Sequence, residues 1–140
     1  MKLLSVVFFI LLYNYTTAQQ TPTWTEKQLI EPSYLAQVIN SNQNLPVIIS
    51  VGPGAIIPNS IEVGMAKEKA NQAALKEKLK LYSRKTKVVI YCGCCPFEKC
   101  PNVRPALEVL REMKFTNYYL LDLPHNLKQD WIDKGYPVNK

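Results

Sequence analysis

The sequence holds no apolar run long enough to span a bilayer: the longest, Leu3 to Leu12, is about ten residues, against roughly twenty for a transmembrane helix. With Lys2 before it and small residues ending at Ala18 behind it, this stretch reads as a signal peptide cleaved after Ala18. No cysteine follows the run, so there is nothing there to carry a lipid. Histidine occurs once, at position 125, which leaves any metal site short of imidazole ligands. Cysteine is absent everywhere except between residues 92 and 100.

What remains after the signal, about 120 residues, suffices for one core and is too short for two. The expected organisation is a signal peptide over 1–18, a linker over 19–27 and one domain over 28–140. Cleavage would remove Lys2 alone among the charged residues, lowering the formal charge from +6 to +5. The expected location is periplasmic or secreted, with no stable membrane insertion after cleavage. Disulfides persist in such compartments, so oxidation of the cysteines has to be considered.

Much of the positive charge falls in one series, Lys67, Lys69, Lys76, Lys78, Lys80, Arg84, Lys85 and Lys87, interrupted by Glu68 and Glu77. The lysines alternate with Ala and Leu at helical spacing and carry no interleaved aromatics, the pattern of a solvated helix face. Nucleic acid is therefore not an expected partner. A basic surface of this kind raises the local concentration of small anions such as thiosulfate.

Pro32 stands where a first helical turn accepts it, and Tyr34, Leu35, Val38 and Ile39 recur at helical spacing, predicting a helix to about Asn40. The run Leu45 to Val51 predicts a buried parallel strand, broken by Gly52-Pro53-Gly54 and followed by an extended piece over 57–63. From Met65 to Tyr82 an apolar stripe of Ala66, Ala70, Ala73, Ala74, Leu75, Leu79 and Tyr82 predicts the longest helix. Lys87 to Tyr91 is the next strand. Beyond Pro101, Asn102 is suited to cap a helix whose buried face is Val103, Ala106, Leu107, Leu110 and Met113. Tyr118 to Leu123 is a further strand, and Asn126 to Lys134 a last helix with Leu127, Trp131 and Ile132 inward. Alternating strands and helices define an α/β chain: a small parallel sheet with helices on both faces, which binds ligands at the carboxyl ends of its strands.

The cysteines occupy such an end. Cys92, Cys94, Cys95 and Cys100 stand in Tyr91-Cys-Gly-Cys-Cys-Pro-Phe-Glu-Lys-Cys-Pro, directly after Val88-Val89-Ile90. A thiol aimed at the unpaired N–H groups of a helix start loses its proton more easily, and Cys92 is placed for this. The thiolate is the reactive form.

Tyr91-Cys92 followed by a loop and then Val103-Arg104-Pro105-Ala106-Leu107 resembles the active-site region of rhodanese-like domains. Ile57-Pro58-Asn59-Ser60-Ile61 resembles that family's segment out of its second strand, and Trp131 with Gly135-Tyr136-Pro137-Val138 its ending. The likeness runs from about Leu29 to Val138. It implies a rhodanese-like fold and a sulfurtransferase whose catalytic residue is Cys92. This cysteine would take sulfane sulfur from a small anionic donor such as thiosulfate, become a persulfide, and pass the sulfur to a thiol or protein acceptor. Gly93, Cys94, Cys95, Phe97, Lys99 and Arg104 would line the loop and hold the donor. The family's Asp-Val-Arg after the second strand is Ser50-Val51-Gly52 here, its histidine before Ile-Pro is Ile56, and the loop is longer by about five residues.

The residues leave other chemistries open. Cys92 and Cys95 form a C-x-x-C pair suited to dithiol redox work, with Cys94, Cys95 or Cys100 as resolving thiol. Cys92, Cys94, Cys95 and Cys100 together would suit copper or zinc, although no cofactor is required by the sulfur-transfer reading. A structural Cys95–Cys100 disulfide, or an inactive binding domain, is also compatible. His125 reads as an exposed loop residue, Glu98 as a solubilising one, and Trp131, Tyr118 and Tyr119 as core or half-buried sheet residues.

Overall fold

Five strands pair in parallel throughout, in the order β1-β5-β4-β2-β3: β1 is Leu29–Ile30, β2 Val47–Ser50, β3 Ser60–Glu62, β4 Val88–Tyr91 and β5 Tyr118–Leu121. The computed structural model describes residues 23–140. The expected signal peptide and residues 19–22 of the expected linker lie outside the described residues. Among those described, no helix is long and apolar enough to cross a membrane.

The central strand β4 reads Val-Val-Ile-Tyr and is buried along its whole length, as a strand covered on both faces must be. Alternation of side chains divides the sheet's residues into two cores. Ile49, Val88, Ile90 and Leu120 pack with Leu75, Leu79, Leu107 and Leu110 on one side, where helices α2 (Lys69–Leu79) and α3 (Val103–Glu112) lie. Ile48, Val89, Tyr91 and Leu121 pack with Leu35, Ala36 and Trp131 on the other, beneath α1 (Pro32–Ser41). The expected α/β architecture, a small parallel sheet with helices on both faces, is the observed one.

Local chemistry sets several boundaries. Pro32 opens α1 and Asn42, at φ 52°, closes it in the left-handed conformation. α2 is shorter than the expected Met65 to Tyr82. The Ala66 N–H donates to Val51 O (3.1 Å), which draws the chain to the end of β2 before the helix can begin. Ala70, Ala73 and Ala74 of the expected apolar stripe face solvent, and Ala66, Leu75 and Leu79 supply the burial.

Nine residues, 51–59, connect parallel neighbours β2 and β3 without a helix. Hydrogen bonds hold this short crossover: Ser50 Oγ donates to Gly54 O (2.6 Å), and Ile57 N–H donates to the Tyr91 hydroxyl (3.3 Å). The expected helix over 126–134 is instead a wide π-type turn, Lys128–Ile132. Asp130 accepts from the N–H groups of His125 (2.7 Å) and Asn126 (3.0 Å), tightening the entry. Trp131 is buried as expected and its indole donates to Pro137 O (2.7 Å), whereas Ile132 is exposed.

Candidate active site

The chain leaves β2 toward β3 on one side and leaves β4 toward β5 on the other, so the crevice between the ends of β2 and β4 is the switch point of the sheet. Cys92 follows β4 directly at this crevice. Its neighbour across the gap is Gly52, where a Cβ would come within 2.7 Å of Cys92 Sγ. Any larger residue at position 52 would displace the sulfur.

Cys92 is buried, 1% exposed, at the rim of the core formed with α2 and α3. The loop that follows Cys92 folds back over it. Two backbone hydrogen bonds pin that loop to the exit of β5, Phe97 N–H to Leu123 O (3.2 Å) and Leu127 N–H to Gly93 O (3.2 Å). Gly93 has a packing role, since a Cβ there would lie 2.9 Å from Leu127 Cβ.

Around the Cys92 sulfur the donors converge. The Cys94 sulfur is 3.4 Å away and the Asn102 amide Nδ2 donates from 3.4 Å. Hydrogen bonds from the Cys100 thiol, the Cys94 N–H, Asn102 and the Cys94 thiol outweigh burial and bring the Cys92 pKa from its ordinary 9.0 down to about 5. Cys92 is thus a thiolate at neutral pH. Its neighbours go the opposite way: partial burial, then the Cys95 and Cys92 sulfurs, push Cys94 up to about 12. The bond it gives Cys92, then burial, pushes Cys100 upward. One thiolate is therefore held by two protonated thiols.

All four cysteines are free thiols. Cys94 is exposed, Cys95 half-buried with its sulfur 3.1 Å from that of Cys94, and Cys100 buried. The sulfurs of Cys92, Cys94 and Cys100 lie within 4.8 Å of one another, a spacing at which three thiolates could hold one soft metal ion.

Of the other residues expected at the site, Phe97 is buried and packs edge-on against Trp24 at 5.7 Å. Arg104 lies over the Trp24 ring at 4.8 Å and donates to Thr23 Oγ1 (3.1 Å), so its guanidinium is engaged by the segment preceding the domain. Lys99 and Glu98 are exposed on the loop itself. His125 is exposed with its ring on Asp130 (2.9 Å).

Asn102 was the residue whose role the sequence concealed. Standing at the N-cap position of α3, it makes no side-chain cap bond. Its Oδ1 accepts from Lys67 N–H (3.0 Å) while its Nδ2 faces Cys92. It is 2% exposed. An amide this deeply buried must find partners for both ends, and the sulfur is one of them.

Fold and site together define an α/β protein with a thiol cluster at the switch point of a parallel sheet. No protein-family model matches the chain, and no curated protein matches it. Among solved structures it is similar to a Lactobacillus plantarum protein at TM-score 0.60 and 15% identity, covering 81% of this chain and 89% of that one. It is also similar to EanB, solved as a cysteine-to-serine variant with hercynine, at TM-score 0.58 and 16% identity. That likeness covers 81% of this chain and 27% of EanB. Both relationships are of fold.

Proposed function

We propose that the protein is an exported rhodanese-like sulfurtransferase acting through Cys92. The Cys92 thiolate attacks the outer sulfur of a small anionic donor of the thiosulfate class. The sulfur–sulfur bond of the donor breaks, sulfite leaves with the electron pair, and Cys92 carries a persulfide. A thiol acceptor then takes the sulfur. The observation that carries this reading is the set of groups gathered on the Cys92 sulfur: the Asn102 amide and the Cys94 sulfur, each at 3.4 Å, with the Cys100 sulfur within 4.8 Å. Groups that hold the thiolate also hold the negative charge of the terminal persulfide sulfur. The sulfur is buried, so the donor's route runs past exposed Cys94, with Lys99 at the loop surface attracting the anion. Export rests on the pattern of residues 1–18.

The test is a single turnover of the reduced, metal-free mature protein with thiosulfate, reading released sulfite. One equivalent per chain is expected, and none from Cys92→Ser. Equal release from both proteins, or none from either, overturns the reading.

A further inference from the structure

We propose that Cys94 resolves the Cys92 persulfide within the same chain, so that the site reduces sulfane sulfur to hydrosulfide and closes a Cys92–Cys94 disulfide. This rests on the persulfide chemistry above and names its product.

Cys94 is the exposed thiol in contact with Cys92, their sulfurs 3.4 Å apart. Cys100 is buried, and the contact of the Cys95 sulfur is with Cys94, at 3.1 Å. Gly93 alone separates Cys92 from Cys94 in sequence, so little chain has to move for the sulfurs to bond. The proton that the leaving group takes is that of the Cys94 thiol itself, which lies in contact with Cys92.

In the step itself the terminal persulfide sulfur takes the Cys94 proton. The Cys94 sulfur attacks Cys92 Sγ, a Cys92–Cys94 bond forms, and the bond from Cys92 to the outer sulfur breaks. Hydrosulfide leaves with that electron pair. Two cysteines are oxidised to a disulfide and one zero-valent sulfur is reduced by two electrons, so a single turnover balances without another reagent. Further turnovers need a dithiol reductant of the thioredoxin class. The product disulfide has one exposed partner and a very short ring, the type that reducing dithiols open readily.

The experiment is the thiosulfate single turnover without reductant, reading sulfite, sulfide and intact mass for the wild type and Cys94→Ser. The wild type should release one equivalent each of sulfite and sulfide and end about 2 Da lighter, with the bridge mapped to Cys92–Cys94 by peptide mass. Cys94→Ser, which also removes one of the thiols on the Cys92 sulfur, should release sulfite more slowly but to the same one equivalent, without sulfide, and keep about 32 Da of added sulfur. Cys94→Ala should behave the same way, and circular dichroism confirms that both variants are folded. A wild type that releases sulfite but keeps the added sulfur overturns the inference and leaves the transferase reading standing. Sulfide release from Cys94→Ser, or a bridge to Cys95 or Cys100, also overturns it. Absence of sulfite from every protein overturns both.

Discussion

Tyr91 and Cys92 are consecutive residues at one strand end, and they enter different halves of the molecule. On the α1 side, the Tyr91 hydroxyl meets Ser60 Oγ at 3.1 Å and Ile57 N–H at 3.3 Å, and the Trp131 indole donates to a backbone carbonyl. These polar groups hold turns in place. On the α2 and α3 side, the polar groups at the end of β4 converge on one sulfur, and the Asn102 amide is spent on Cys92 in place of the helix terminus. Both faces bury large side chains, and one of them uses its polar groups to stabilise a negative charge. A sheet with two covered faces can thus divide its labour, one face maintaining the fold while the other maintains a reactive group.

The division makes different predictions for the two faces. Trp131→Ala empties a fully buried site on the α1 side and should cost about 3–5 kcal/mol in urea unfolding. In the folded variant, the thiolate absorbance of Cys92 should titrate where it does in the wild type. A shifted midpoint would mean that the faces are coupled.

Asn102→Ala should do the reverse. In the wild type Cys92 is a thiolate above about pH 5; as the pH falls through that value the thiol is protonated and sulfite release should fall about tenfold per pH unit. Removing a donor to the thiolate raises the midpoint, so the acid limb of the rate profile should move toward neutral pH. Asn102→Asp, which keeps an acceptor for Lys67 N–H but sets a negative charge beside the sulfur, should move it further. An unmoved limb in both variants would break the proposed role of the amide.

The smallest effect is expected from Tyr91→Phe. Loss of the hydroxyl leaves the Ile57 N–H without its acceptor, while Ser60 Oγ keeps its bond to Ile57 O, and should cost about 1–3 kcal/mol in urea unfolding, with the acid limb unchanged.

The fold was legible where burial follows a short period. Val88 to Tyr91 announced β4 because a covered parallel strand is apolar throughout, and the cysteines behind it marked the strand end. The apolar faces of α1 and α3 were readable for a similar reason. What stayed hidden depended on long-range backbone partners. α2 starts late because Ala66 bonds to Val51, and the turn at Lys128 is wide because Asp130 is held by the residues before it. The burial of Cys92 was illegible because the loop is closed by carbonyls and amides of residues far along the chain, which any sequence supplies. Asn102 was hidden by its position: helix-start logic assigned its side chain locally, while the fold used it across the crevice.

The two backbone hydrogen bonds that pin the loop to the segment after β5 make access to the sulfur a matter of local stability. Opening the loop has a free energy separate from that of unfolding the protein, and it is set as much at Leu123 and Leu127 as at the cysteines. Substitutions along residues 123–127 would then act as throttles, altering the fraction of time the thiolate is open to reagents while leaving its acidity unchanged. The exchange rates of the Phe97 and Leu127 amides would report that fraction directly.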